Sequence, residues 1–365
     1  MTIYILELVI ICIFGIFIYF DGIADDRRNR LFINISMIIL FALEALRSYK
    51  VGLDTEDYII MFEEIGKGNE TRWEPLYILL NNVIWHFTHN SQWLLVSVSG
   101  ISILGVKYFI ENNTERNEIA FWPVFFFVTL NFYFVTMSSL RQACALAIGI
   151  NAYTIMKKRG ICLKSVIEGI ILTIVSMMFH SSGIITALFL PLFFLHTTNR
   201  RILLYTILGS VFVFFGYESL MNAFMRLFPR FQVYLSRESG QAVDMNMGNY
   251  LLIVLKMAVL FLVYYSIPQI KDKKQKEDLI RLSVLVILSI AIAVMKTRTR
   301  LAIRLGYYYD FFTILLIPKF VRYLPVTPFT KSCIHVTLFV MGWGVFIVMM
   351  LRGSRGCVPY LFFWQ

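Results

Sequence analysis

Residues 119–156 read IAFWPVFFFVTLNFYFVTMSSLRQACALAIGINAYTIM, two apolar blocks (119–137 and 139–156) meeting at a short polar step of Ser138, Ser139, Arg141 and Gln142. Each block approaches the ~20 residues that carry a helix through a hydrocarbon core ~30 Å thick. Lipid offers the backbone no hydrogen-bond partner, so a spanning segment of this length must be helical. A tight polar step between two such blocks sends the chain back across the bilayer.

The pattern continues outward from this pair. Further apolar blocks lie at 2–20, 31–46, 91–110, 163–180, 183–197, 202–217, 249–268, 280–296, 303–320 and 332–350. Together they give about twelve candidate membrane helices, in a range of about 11–13. Several are short, so tilting or local thinning of the bilayer is expected. The sequence predicts an all-α polytopic membrane protein, with residues 1–365 as a single integral membrane domain. Composition agrees: 58% of residues are hydrophobic and only 16% charged, where a soluble domain carries roughly 25% charge. Residues 3–20 lack a basic leading segment and a small-residue cleavage site, so they read as a first membrane helix and not as a signal peptide.

Loop charge gives direction. Arg27, Arg28 and Arg30 place the first loop in the cytoplasm, and alternation then puts 111–118, 157–162, 198–201, 269–279 and 321–331 on the same side. These loops hold Lys157-Lys158-Arg159, Arg200-Arg201 and the KDKKQK run at 271–276. They account for the net charge of +11 without a nucleic-acid partner. The alternation holds if 73–88, WEPLYILLNNVIWHFT, stays on the outer side as a re-entrant or interfacial helix with Pro75 in its first turn. Two outer loops are long, 47–72 and 218–248, and they are expected to form the substrate face. The second holds LMNAFMRLFPRFQVYL, whose spacing suits an interfacial helix. Cys12, Cys144, Cys162, Cys333 and Cys357 are scattered, with no CxxC, so neither a disulfide framework nor a zinc site is expected.

With this topology the unusual polar residues gather at the outer face, where polar groups at membrane depth mark a site. Arg47, Asp54 and Asp57 lie in RSYKVGLDTEDY, either as a solvated loop or as part of a site; two carboxylates there are weak grounds for a metal, and none is expected. Glu74 either serves a helix N-terminus, where negative charge is favoured, or faces a ligand. Arg141, with Gln142 beside it, needs an anionic partner: a protein carboxylate or a substrate phosphate, which its fork binds through two oxygens. His180 in MMFHSSG is either a structural residue at a helix end or a base. KTRTRLAIR at 296–304 turns Arg298, Arg300 and Arg304 outward against the positive-inside rule, which suggests an anionic ligand or a topology shifted by one crossing. No HExxH, P-loop, dinucleotide-binding GxGxxG or GxSxG is present, and no cofactor is expected.

These residues also form an ordered series. It runs Arg47, Gly52, Asp54, Tyr58; Glu74, Pro75, Tyr77; Leu140, Arg141, Gln142, Ala145; Phe179, His180, Ser182; Arg230 with Tyr234; Arg304 with Tyr307 and Tyr308; and Pro359-Tyr360. The series resembles the EpsG family of polysaccharide polymerases, within the broad Wzy-type group, from about residue 40 to the C-terminus. The resemblance implies a fold related to the large GT-C-type membrane glycosyltransferases. It implies a polymerase that joins oligosaccharide repeat units carried on undecaprenyl pyrophosphate at the outer side of the bacterial cytoplasmic membrane. Partners would be that lipid-linked oligosaccharide, membrane lipid, and a chain-length regulator or flippase. In that chemistry Arg141, Arg300, Arg304 and Arg47 are candidates to stabilise the pyrophosphate leaving group. His180, Asp54 and Glu74 compete as general base. Tyr58, Gln142, Arg230, Tyr234, Arg298 and Tyr308 would bind substrate. A lipid-linked oligosaccharide flippase or transporter, and an O-antigen ligase-like glycosyltransferase, remain as alternatives; a transporter should carry repeated halves and midplane polar residues.

Overall fold

The computed structural model describes residues 1–194, 198–227, 247–299 and 301–365. Among them every named element is helical, and the isolated bridge of extended backbone pairs Arg47 with Phe362. The chain divides into two compact units, Met1–Phe194 with Ser332–Gln365, and Leu195–Lys331. The first contains α1 (Thr2–Ile18), α2 (Asp26–Ala45), α3 (Thr55–Gly66), α4 (Pro75–Phe87), α5 (Gln92–Asn113), α6 (Phe121–Thr129), α7 (Phe132–Ser138), α8 (Leu140–Arg159) and α9 (Leu163–Phe179), then a 3₁₀ stretch over Ser181–Phe189 and Pro191–Phe194. The second contains α10 (Arg201–Leu227), α11 (Met247–Ser266), α12 (Lys273–Met295), α13 (Leu301–Asp310) and α14 (Thr313–Tyr323). The chain returns to the first unit along α15 (Pro328–Leu351).

Every apolar block is mainly helical over its described residues, and some of these helices are long and apolar enough to span a membrane unbroken. By length and composition five helices can cross a membrane: α5, α10 over Arg201–Leu220, α11 with its extension over Tyr250–Gln269, α12 and α15. A sixth appears if α6 and α7, bent by 55°, count as one span. The other expected spans are short or broken, for local reasons. α1 and α9 have 17 residues each, and α2 opens on the charged DRRNR. The block at 183–197 winds as 3₁₀ helix through Phe194, and the block at 303–320 breaks into α13 and α14. The bend between α6 and α7 sits at Asn131, in the left-handed region (φ 72°), which Asn tolerates better than most residues. The result is nonetheless a helical membrane protein.

Two connections position the site. In the first, Gly52 (φ +105°) lets the 47–54 loop fold under α7, where an added Cβ would lie 2.9 Å from the Met137 carbonyl. A side chain there meets both a strained backbone and a clash. The C-terminal segment locks this loop: the Ser48 N–H donates to Leu361 O (2.8 Å), Gly52 N–H to Gly356 O (2.9 Å) and Phe363 N–H to Leu46 O (3.0 Å). The Tyr360 hydroxyl donates to Leu43 O at 2.9 Å. In the second connection, Pro75 starts α4, whose 13 residues fall well short of the ~20 for a crossing. α4 packs on α3 and α9, and α8 lies between α5 and α9.

In the second unit α12 is the central helix, packed by α10, α11, α13 and α14. Asp272 caps it by accepting the Gln275 N–H at 2.8 Å, so part of the basic run read as a loop is the first turn of a helix. Buried ion pairs join Lys256 to Asp310 (2.5 Å) and Lys319 to Asp278 (3.6 Å). α10 continues through Leu227, so the helix expected within 218–248 is helical over its described part, joined to α10 without a break; residues 228–246 lie outside the described part.

Candidate active site

The polar step in the opening stretch becomes the start of α8. Arg141 stands in its first turn, and its side chain keeps 19% of its surface exposed. Its Nη1–H donates to Glu74 Oε2 at 2.6 Å. Glu74 precedes Pro75 at the N-terminus of α4, and its other oxygen, Oε1, accepts the Ser181 N–H at 2.9 Å. Glu74 thus ties α4 to α8 and to the turn after α9. Burial raises the cost of its charge, but Arg141, the Ser181 N–H and His180 outweigh that cost and hold the carboxyl below its usual range.

Aromatic rings form the other wall. The Arg141 guanidinium lies 4.4 Å from the Trp73 ring centroid and 5.9 Å from that of Tyr58. Trp73 meets Tyr58 at 5.3 Å and Tyr77 at 5.6 Å. This packing fixes the fork in a partly dry setting, where cation–π attraction is strongest. The Arg141 Nε–H is buried without a hydrogen-bond partner in the protein.

His180 caps the 3₁₀ stretch. Its Nδ1 accepts the Ser182 N–H at 3.2 Å and lies 2.7 Å from the Ser182 hydroxyl. That network assigns the neutral ring's proton to Nε2, so His180 is arranged to donate a hydrogen bond from Nε2. The turn itself is held by close packing: Ser176 Oγ on α9 donates to Ala145 O of α8 at 2.7 Å.

Of the sequence-predicted residues, Arg141, Glu74, Tyr58 and His180 converge. Asp54 sits at the N-terminus of α3, exposed, one turn before Tyr58, whose N–H donates to Asp54 O at 3.2 Å. Gln142, next to Arg141, is buried. Arg47 has no exposed surface. It donates to the Glu44 carbonyl, to Ser99 Oγ (3.3 Å) and to Met137 O (2.9 Å), beside the Glu44 carboxylate that accepts from Ser102 (3.0 Å) and Thr136 (3.1 Å). It is a brace under the site and offers no surface to a substrate. Arg298, Arg304 and Tyr308 belong to the second unit, where Tyr308 is fully buried, Arg304 half-buried, and Arg298 pairs with Glu218 at 3.3 Å. Arg230, Tyr234 and Arg300 lie outside the described residues. Among the described residues no three of His, Cys, Asp and Glu gather as a cation site.

Trp73 and the backbone N–H of Ser181 are the members of this cluster that the sequence reading did not single out. A signal existed for Trp73, which directly precedes Glu74 in WEPLY, but only the fold brings it to Arg141.

No curated protein and no solved structure matches the chain. The model of the EpsG family matches residues 30–362, a span that takes in the loop at Arg47, the Trp73–Glu74 step, Arg141 and the His180 turn. Since that match runs over nearly the whole sequence, the chain belongs to the EpsG family.

Proposed function

We propose that this protein is a polysaccharide polymerase that joins repeat units carried on undecaprenyl pyrophosphate at the outer face of the cytoplasmic membrane. The observation that carries the proposal is the part-exposed Arg141 fork, pinned between Glu74 and Trp73, with the turn that holds His180 tied to the same carboxylate through the Ser181 N–H. A displaced pyrophosphate gains negative charge as the anomeric C–O bond breaks. Preorganised donors in a partly dry site stabilise such charge strongly. Arg141 and His180 are the donors in this scheme.

The new bond forms from a hydroxyl of the acceptor sugar, whose proton must pass to a base. Both oxygens of Glu74 are engaged and its charge is stabilised, which makes it a weak base. His180 Nδ1 is occupied by Ser182. The exposed Asp54 carboxylate, close to Tyr58, is therefore the favoured acceptor of that proton. Tyr58 and Trp73 are suited to line the path of the sugar. In this scheme the shorter helices complete about twelve crossings in tilted or broken form, in a GT-C-related arrangement.

Deleting the gene tests the proposal. A strain without the polymerase is expected to display single repeat units on its surface glycan and no long chains. Loss of every displayed unit would point to a flippase or a ligase and overturn it.

A further inference from the structure

In the second unit α10, α11 and α12 enclose an apolar groove of about 530 Å³, within the ~300–1,000 Å³ of ligand pockets. Ile207, Val211, Phe214, Phe261, Tyr264 and Ile290 line it. Ser210 is its one hydroxyl on α10, and that hydroxyl is turned to its own helix, donating to Thr206 O at 2.8 Å. The outward faces of α10 and α11 are exposed along their length, with Phe212, Phe215 and Phe261 open to the surroundings. In a membrane protein such surface meets hydrocarbon.

Both ends of the groove carry an arginine seated over a lining ring. Arg200 lies 4.5 Å from the Tyr264 centroid and donates to Tyr264 O at 3.2 Å. Arg298 lies 4.6 Å from the Phe214 centroid. From Leu203 to Glu218 the helix rises about 22 Å at ~1.5 Å per residue, most of a hydrocarbon core ~30 Å thick. The groove therefore runs along the membrane depth between two cationic levels.

The two ends differ. Arg200 is spent on a carbonyl of its own neighbourhood. Arg298 keeps 31% of its side chain exposed, and its carboxylate contact is a 3.3 Å bond to Glu218, itself 80% exposed. Such a surface pair contributes only ~0–1 kcal/mol, so a phosphate can displace it and take the fork through two oxygens.

We infer that this groove receives the apolar tail of the acceptor unit's polyprenyl pyrophosphate, which is not the one displaced at Arg141, with that intact headgroup on Arg298. The inference rests on the proposed function for the identity of the lipid. Commitment to a polyprenyl tail over a phospholipid follows from the walls: Phe214, Phe215, Phe261, Tyr264 and Tyr265 give an irregular, ring-lined channel. A bent, methyl-branched chain fills such a channel with fewer gaps than a straight acyl chain, and gaps forfeit dispersion contacts. The second phosphate adds charge opposite Arg298.

The test uses the full-length protein in nanodiscs of phosphatidylethanolamine and phosphatidylglycerol, with an undecaprenyl pyrophosphate that carries a photoreactive tail. Labelled peptides are mapped by mass spectrometry. Labelling is expected on the groove-facing residues of α10, α11 and α12, and excess unlabelled undecaprenyl pyrophosphate should reduce it at least tenfold. Ala291→Trp, which fills the groove, should reduce it by a similar factor, and Arg298→Gln should weaken competition by the pyrophosphate several-fold. If Ala291→Trp does not accumulate, Ser210→Phe narrows the groove from the other wall. Label spread evenly over every lipid-facing helix, or competed equally by added phosphatidylglycerol, would overturn the inference and mean bulk lipid fills the groove. The glycan phenotype of the deletion strain is read separately, so long chains in that strain would sink the polymerase proposal whatever the labelling shows.

Discussion

Arg47 and Arg141 belong to the same unit and stand on adjoining elements, yet their surroundings differ in kind. Arg47 has no exposed surface and spends its donors on the Glu44 and Met137 carbonyls and the Ser99 hydroxyl. Arg141 keeps a fifth of its side chain open, and it pairs with a carboxylate and stacks on Trp73. A buried cation must be surrounded by acceptors, because desolvation otherwise costs several kcal/mol. Arg47, fully enclosed, presents no surface to a ligand. Both arginines keep a buried Nε–H without a protein partner, so the difference is exposure: a guanidinium held against aromatic rings with a fifth of its side chain open is restrained but still reachable. The pair separates a fully enclosed residue that braces the fold from the part-exposed one proposed to do chemistry, although both read alike in sequence.

That contrast can be broken at either side. The largest effect is expected from Arg47→Ala, which takes the buried donor from the Glu44 and Met137 carbonyls and the Ser99 hydroxyl and should cost about 3–5 kcal/mol, at ~1–3 kcal/mol for each buried group left unsatisfied. Protein should fail to accumulate in the membrane, measured by immunoblot and by melting in detergent. Arg141→Ala should accumulate normally but lower chain-forming activity by about 10²–10³-fold, the cost of losing one donor to developing negative charge. A turnover assay in proteoliposomes reads this.

Glu74→Gln should remove about 1.5–3 kcal/mol, the range for hydrogen bonds to a charged group, and its pH dependence sharpens the assignment. The folded state depresses the Glu74 pKa. The contribution is therefore fully present above the unfolded value of ~4.3 and is lost as pH falls through the lower folded value. The difference in melting midpoint between wild type and Glu74→Gln should be constant above about pH 5.5 and close at more acidic pH. Trp73→Ala should cost about 0.5–2 kcal/mol of cation–π attraction, seen as a loss of turnover of several-fold to about thirtyfold with unchanged membrane abundance. The smallest effect is expected for Arg159→Ala. Its exposed pair with Glu168 should contribute no more than about 1 kcal/mol and leave chain length unchanged.

Much of this arrangement was legible in sequence. The apolar blocks marked where helix would form, and the short, polar 73–88 segment became the 13-residue α4. Arg141, Glu74, His180 and Tyr58 were named before any contact between them was visible. Hydropathy does not show where a helix is interrupted, because it records how apolar a window is and not whether the helix within it is continuous. The break at Asn131 and the interruption between α13 and α14 leave a window's average high while ending the helix. Nor could it separate Arg47 from Arg141, since exposure depends on α5 and α7 closing over one and not the other. Trp73 went unnoticed because an aromatic beside a carboxylate is ordinary, and its meaning comes from a ring–guanidinium distance between residues 68 positions apart. The helical spacing read from residue 220 onward holds over the described part, through Leu227, but as a continuation of α10 and not as a separate helix.

The central claim is that the Glu74–Arg141–His180 cluster performs chain elongation. It is tested most directly by the length distribution of surface glycan in a strain whose own copy of the gene carries Arg141→Ala, with the protein quantified in the same membranes. The expected result is wild-type protein abundance with single repeat units and no long chains. Long chains of normal distribution at that abundance would contradict it.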